Sequence, residues 1–263
     1  MSPQGSRHMK TPLRMLISFL FLVFFSTPML AEIVTIRADR WFPINGEPDS
    51  PTPGYMIEMA TRIFKEAGLS VDYQPIPWKR AIVFVREGRH DCVVGANKQD
   101  TPDFVFPNSS WGTDSAIIYV KKGEKWRYQG LSSLASIHLG LIGGYAYNAT
   151  VNQFIKENKD RLQLLSDDNA LENNIKKLLL GRITATIESP LVMSAKLKEM
   201  GLEGEIIPAG QVGDTVDMYI ACSPAKKSSK TLIKLVDEGT QKLRQSGELK
   251  TILDKYGVQD WHH

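Results

Sequence analysis

The chain has 263 residues, 42% of them hydrophobic and 23% charged. That balance excludes a disordered, collagenous or disulfide-scaffold protein and suits one large domain or two smaller ones. The formal charge of +3 sits in residues 1–31, where Arg7, Lys10 and Arg14 meet no acid. The remainder is neutral without basic runs, which gives no support to nucleic-acid binding.

The opening MSPQGSRH reads as a tag remnant or an upstream start and carries no fold information. Lys10 and Arg14 then precede the apolar run MLISFLFLVFF, followed by STPMLA. A basic start, a short apolar stretch and a small residue before a polar chain predict a secretory signal peptide cleaved near Ala31. The run falls short of the roughly 20 residues that a membrane-spanning helix needs. No cysteine lies near the cleavage point to take a lipid, so the expectation is a soluble chain exported to the periplasm.

Along the exported part, strand-like and helix-like patterns alternate. IVTIRA, residues 33–38, reads as a strand. In GYMIEMATRIFKEAG, Met56, Met59, Ala60 and Ile63 recur at helical spacing and Gly68 stops the helix. VDYQPI alternates as a strand, and PWKRAIVFVREG opens a helix with proline. DCVVGA is a short buried strand. After IIYVKKGE a second set begins, with the strand HLGLIGG ending in a glycine turn and the helix NATVNQFIKEN capped by Asn148. SDDNALENNIKKLLLGR carries Leu171, Ile175, Leu178 and Leu179 on one face, acids early and lysines late, as the helix dipole favours. ITATI is the next strand, SPLVMSAKLKEMG the next helix, DMYIACS an apolar strand and KTLIKLVDEGTQKLRQSGELKTILDKYG a helical C-terminus.

This alternation predicts an α/β protein of parallel-rich sheets flanked by helices. It divides into a first lobe of residues 32–120 plus 217–263 and a second of 121–216, with two strands crossing between them. Ligands of open α/β sheets bind beyond the carboxyl ends of the strands. The loops after IVTIRA, DCVVGA, HLGLIGG and ITATI are therefore expected to line one cleft. Cys92 and Cys222 are the two cysteines. They read as small buried strand residues, with a disulfide as the alternative that export permits.

The order and spacing of GYMIEMATRIFKEAGLSVDYQPIPWKRAIVFVREGRHDCVVGA, LSSLASIHLGLIGGYAYNA, ALENNIKKLLLGRITATIESPLVM and SGELKTILDKYG resemble the amino-acid-type periplasmic solute-binding proteins that feed ABC importers. The resemblance covers almost the whole exported chain. It implies a two-lobed type II fold that closes like a hinge on a small solute. It also implies a monomer that serves an inner-membrane ABC permease, without cofactor, metal or catalysis.

It assigns ligand-facing roles residue by residue. Trp41 and Phe42 stand where an aromatic stacks on the ligand, with Tyr55 and Trp78 the next aromatics; packing at a lobe edge or helix start is the plainer role for each. Gly143, Gly144 and Tyr145 form the glycine turn before a helix, where free N–H groups favour an anion. Ala146 replaces a common hydroxyl there, and Tyr145 or Tyr147 would supply one instead. Glu188 in TIESP matches the acid that holds an ammonium, against the plainer role of helix cap.

The loop ANKQDTPDFVFP departs from the family pattern, because it is short and lacks the arginine that clamps an α-carboxylate. Asn97, Lys98 and Gln99 are expected to line that side, with Lys98 as a point charge, or Arg40 or Arg80 reaching in. The departure puts a standard α-amino acid in doubt and leaves an amine-like solute open.

His90, His138, His262 and His263 have no metal-ligand spacing, and no nucleophile, phosphate-loop or zinc-protease motif occurs. The sequons at Asn108 and Asn148 are read as chance. Two alternatives remain: a periplasmic dehydratase on the same scaffold, with Glu188 as general acid, and a module that presents solute to a receptor.

Overall fold

Among the described residues, eight strands join in one mixed sheet, in the order Ser70–Pro75 (β2), Ile33–Ala38 (β1), Cys92–Ala96 (β3), Ile206–Cys222 (β8), Gly112–Lys121 (β4), Ala185–Glu188 (β7), Leu139–Ile142 (β5) and Leu162–Leu165 (β6). The computed structural model describes Gly5 and residues 32–145, 147–159, 162–166 and 169–261. The expected signal peptide, Ala146 and the two terminal histidines lie outside these residues. Among the described residues, no helix is long and apolar enough to cross a membrane.

The first half starts with β1 (Ile33–Ala38), helix α1 (Tyr55–Glu66), β2 (Ser70–Pro75), α2 (Trp78–Arg86) and β3 (Cys92–Ala96). Strand β1 runs parallel to both β2 and β3. The apolar spacing in α1 buries Met56, Met59, Ala60 and Ile63 as expected. They share a core with Val236 and Leu243 of α7 (Ser229–Ser246) and with Leu249 and Ile252 of α8 (Glu248–Tyr256). Gly239 of α7 makes this packing possible, because a Cβ there would stand 2.6 Å from Ile63 Cγ2.

The second half holds α3 (Leu131–Leu134), β5 (Leu139–Ile142), α4 (Ala149–Glu157), β6 (Leu162–Leu165), α5 (Ala170–Leu179), β7 (Ala185–Glu188) and α6 (Pro190–Met200). Strand β5 is parallel to β6 and β7. Asn148 caps α4 as the sequence predicts, accepting from Val151 N at 2.9 Å. Val151 and Phe154 of α4 pack against Ile118, Leu139, Leu141 and Ile187.

Two long antiparallel strands join the halves. They are β4 (Gly112–Lys121) and β8 (Ile206–Cys222). Strand β8 pairs with β3 at its C-terminal end, and β4 pairs with β7. Strand β6 and the first part of β8 were not foreseen in the sequence. LQLL is only four residues long, and the first part of β8 carries Pro208, Gly210 and Gly213, which sequence rules assign to loops. The C-terminal helical stretch divides at Gly247, whose φ of 79° suits glycine alone.

Cys92 and Cys222 form a disulfide, so the plainer reading of two unlinked buried cysteines is corrected. They face each other directly across the β3–β8 pair with Cα atoms 4.0 Å apart. The reason is register. Cys222 exchanges both backbone hydrogen bonds with Val105 on its other side. That leaves Cys92 and Cys222 as a non-hydrogen-bonded pair, the narrow site of an antiparallel ladder.

Candidate functional site

A cleft opens between the two halves, where the expected strand ends converge. Asp39 and Trp41 follow β1, Trp78 begins α2, and Gly95, Asn97, Gln99 and Asp100 lie at the end of β3 and the loop beyond. Asp114 and Ala116 come from β4, and Val216 and Met218 from β8. Tyr145, Tyr147 and Asn148 follow β5, and Ile187, Glu188 and Ser189 close β7.

Glu188 is the centre of the polar lining. It is 3% exposed. Its Oε1 accepts from the Trp41 indole N–H at 3.1 Å and from Ser189 N–H at 2.8 Å. Its Oε2 has no hydrogen-bond partner among the described residues. Burial pushes its pKa up to about 8 against the pull of those two donors, and the charges of Asp114 and Asp39 push the same way.

Two further carboxyls share the recess. Burial pushes Asp39 and Asp114 each up to about 6. Asp114 Oδ1 has no partner among the described residues. The phenols of Tyr145 and Tyr147 are also driven up, first by burial and then by nearby acids, Glu188 among them, and their rings lie 6.1 Å apart. The cleft is thus an aromatic chamber with buried acids.

The sequence model that describes bacterial extracellular solute-binding proteins, family 3, matches residues 34–259. The chain belongs to this family. A curated relative, the probable amino-acid-binding protein YxeM of Bacillus subtilis, is 22% identical over 226 residues, covering 83% of this chain and 81% of its own. Among solved structures, the glutathione-import work on GshT and the cystine ABC importer TcyBC of Streptococcus mutans aligns with a TM-score of 0.71 at 19% identity, covering 87% of this chain and 96% of that one. An ABC uptake substrate-binding protein from Streptococcus pneumoniae with bound histidine aligns with a TM-score of 0.69 at 19% identity, covering 85% and 92%. The fold is that of the two-lobed type II periplasmic binding proteins.

Within this family framework, the structure sorts the sequence-derived residues. It brings Trp41, Trp78, Asn97, Gln99, Tyr145 and Glu188 into the cleft lining. It leaves Phe42, Tyr55, Lys98 and Gly144 out of it. Phe42 is 41% exposed, with its ring 6.0 Å from that of Tyr256. Tyr55 is fully buried, against Tyr256 and Trp261.

Lys98 is exposed, with Nζ 4.8 Å from the Tyr219 ring centroid, so it lies over an aromatic face rather than in the cleft. Arg40 pairs with Glu47, and Arg80 is exposed and absent from the lining. Gly144 is exposed with φ of 94°, and the N–H of Gly143 is taken by Leu165 O at 2.6 Å.

Sequence reasoning missed Asp39 and Asp114 as site residues. Asp39 was readable as the acid two places before Trp41 in the same loop. Asp114 had no local signal, because the start of β4 was not recognised.

Proposed function

We propose that this protein captures a small amine-bearing solute in the periplasm by closing its two lobes, and hands it as a monomer to an inner-membrane ABC permease. The lobes are residues 32–120 with 217–263, and residues 121–216; the signal peptide is removed near Ala31. The observation that carries the reading is Glu188, a carboxyl 3% exposed, with one oxygen unpartnered among the described residues, in an aromatic-walled cleft. A buried carboxylate is costly alone and favourable beside a cation. Trp41, Trp78 and Tyr145 offer ring faces to the same group.

Family membership supports solute binding, the name of YxeM supports an amino-acid-like solute, and the pneumococcal protein with bound histidine supports ABC uptake. Closure needs a ligand that favours the closed state.

A thermal-shift screen of the purified protein against amino acids, amines, carboxylates and sugars tests this. A ligand at 100 times its Kd adds about 2.7 kcal/mol, and each kcal/mol moves the midpoint by about 2–4 °C for a chain this size. Stabilisation by an amine that Glu188→Ala abolishes is the expected result. Stabilisation by carboxylic acids or sugars alone would sink the reading.

Catalysis is the second reading, and the raised carboxyls favour it as proton donors. A dehydratase of cyclohexadienyl acids must also hold its substrate's carboxylates. No Lys, Arg or His side chain among the described residues lines the cleft to do so. Binding without turnover is therefore the function we assign, and incubation with prephenate or arogenate checks it.

A further inference from the structure

The cleft gathers more carboxyl groups than one ammonium would pair with. Asp39, Asp100, Asp114, Glu188 and Asp214 all line it, and no Lys, Arg or His side chain among the described residues does. Two of these acids keep a buried oxygen without a partner among the described residues, Glu188 Oε2 and Asp114 Oδ1. Glu188 is itself more than nine-tenths buried. Native proteins pair buried charges, and buried carboxyl oxygens left without a donor are suited to a cation.

Several groups beside the cleft that could hold a carboxylate are meanwhile used internally. In the loop after β3, Asn97 Oδ1 takes the N–H groups of Gln99 and Asp100, each at 2.9 Å, and Asn97 Nδ2 donates to Asp100 at 2.7 Å. Thr101, fully buried, donates its hydroxyl to Asn97 O at 3.1 Å. At the other side, Gly143 N–H is held by Leu165 O, Ile142 N–H by the Tyr147 hydroxyl at 2.9 Å, and Val151 N–H by Asn148 Oδ1. A ligand carboxylate would meet no free cation and several acids, a juxtaposition of like charges that costs several kcal/mol.

We propose that the ligand is a small organic cation with at least two ammonium or guanidinium groups and no carboxylate, such as a linear diamine. One cationic group pairs with Glu188 beneath Trp41. The second is held by Asp114 with Asp39, and the methylene chain between them lies along Tyr145, Tyr147 and Trp78. Rejection of α-amino acids is built into the same arrangement, since specificity comes from like-charge repulsion as well as attraction. This inference rests on the amine-binding reading of the same cleft.

Matched pairs of probes test it by titration calorimetry on the purified protein. Cadaverine is lysine without its carboxylate, and agmatine is arginine without its own. We expect cadaverine and agmatine to bind at least about tenfold tighter than lysine and arginine. Asp114→Asn is expected to weaken cadaverine by about tenfold or more while leaving pentylamine, which has one charge, within about threefold. Lysine or arginine binding as tightly as its decarboxylated partner would overturn the dication and leave amine binding standing. Equal loss of cadaverine and pentylamine in Asp114→Asn would overturn the second cation site. Failure of every amine and amino acid to bind, with the folding midpoint intact, would overturn both inferences. The wild-type comparison needs no variant to fold.

Discussion

The indole N–H of Trp41 donates to Glu188 Oε1 at 3.1 Å, tying the loop after β1 to the end of β7 across a sequence separation of 147 residues. This contact spans the cleft, so one side chain from the first half orients the central acid of the second. It fixes Oε1 and leaves Oε2 without a hydrogen-bond partner among the described residues. Trp41 is therefore a positioning residue as well as a wall of the cleft.

Trp41→Phe keeps a ring and removes the donor. The Trp41 hydrogen bond opposes the burial-driven rise of the Glu188 pKa, so its loss moves that pKa further up. Amine affinity near neutral pH is expected to fall by about 1–3 kcal/mol, the cost of a lost bond to a charged group. The loss should shrink as pH rises above the shifted value. Calorimetry across pH checks this, because a purely steric effect would give the same loss at every pH.

Stability of the ligand-free protein should fall as pH rises from about 5 to about 8. The folded pKa values of Glu188, Asp39 and Asp114 stand above their ordinary values, at about 8, 6 and 6. Between the ordinary and raised values the folded chain binds more protons than the unfolded one, so stability declines with pH there. Trp41 and Ser189 face Glu188 as donors, Asp39 and Asp114 as acids. Tyr119, Tyr145 and Tyr147 face it as phenols whose raised pKa values keep them neutral through this window. Asp72, with Arg37, and Asp91, with Lys226, have lowered values and act only at more acid pH. Glu188→Gln should flatten the decline above about pH 7, where the two aspartates have largely titrated. An unchanged slope in melting midpoints would reject Glu188 as its source.

Much of this architecture follows from local pattern, and the remainder follows from contacts that local pattern does not carry. The apolar spacing of α1, the Asn148 cap and the glycine after Ile142 each act within a few residues, so they are readable directly. Glu188 is readable as a cleft-lining acid because it ends a strand directly before a helix start. The first part of β8 holds its extended form through its pairing with β4, despite Pro208 and Gly210. Trp41 and Phe42 are adjacent, yet only the bridged turn between Trp41 and Asn45 decides which ring enters the cleft. Asp39 and Asp114 become site residues only when the β1 loop and the crossing strand β4 meet.

Reduction of the Cys92–Cys222 bond should destabilise the protein without touching the ligand. The bond closes a loop across a separation of 130 residues, and chain-entropy estimates put such a constraint at about 3–5 kcal/mol. Neither cysteine lines the cleft. The double replacement by alanine is expected to lower the midpoint strongly while the folded variant keeps wild-type affinity. A large change in affinity at a temperature where the variant is folded would show that β3 and β8 transmit strain to the site.

Cation binding near pH 7 should release protons. With a pKa raised to about 8, Glu188 is mostly protonated in the free protein at that pH. A protonated amine that pairs with its carboxylate must displace that proton, and the buffer takes it up. Binding of cadaverine should then be more exothermic in HEPES than in phosphate, since HEPES gives back the larger heat on protonation. The difference should vanish in Glu188→Gln and diminish above about pH 9, where Glu188 is already ionised. Equal heats in the two buffers at pH 7 would mean that the ligand does not pair with Glu188, and would direct attention to Asp114 and Asp39 as its partners.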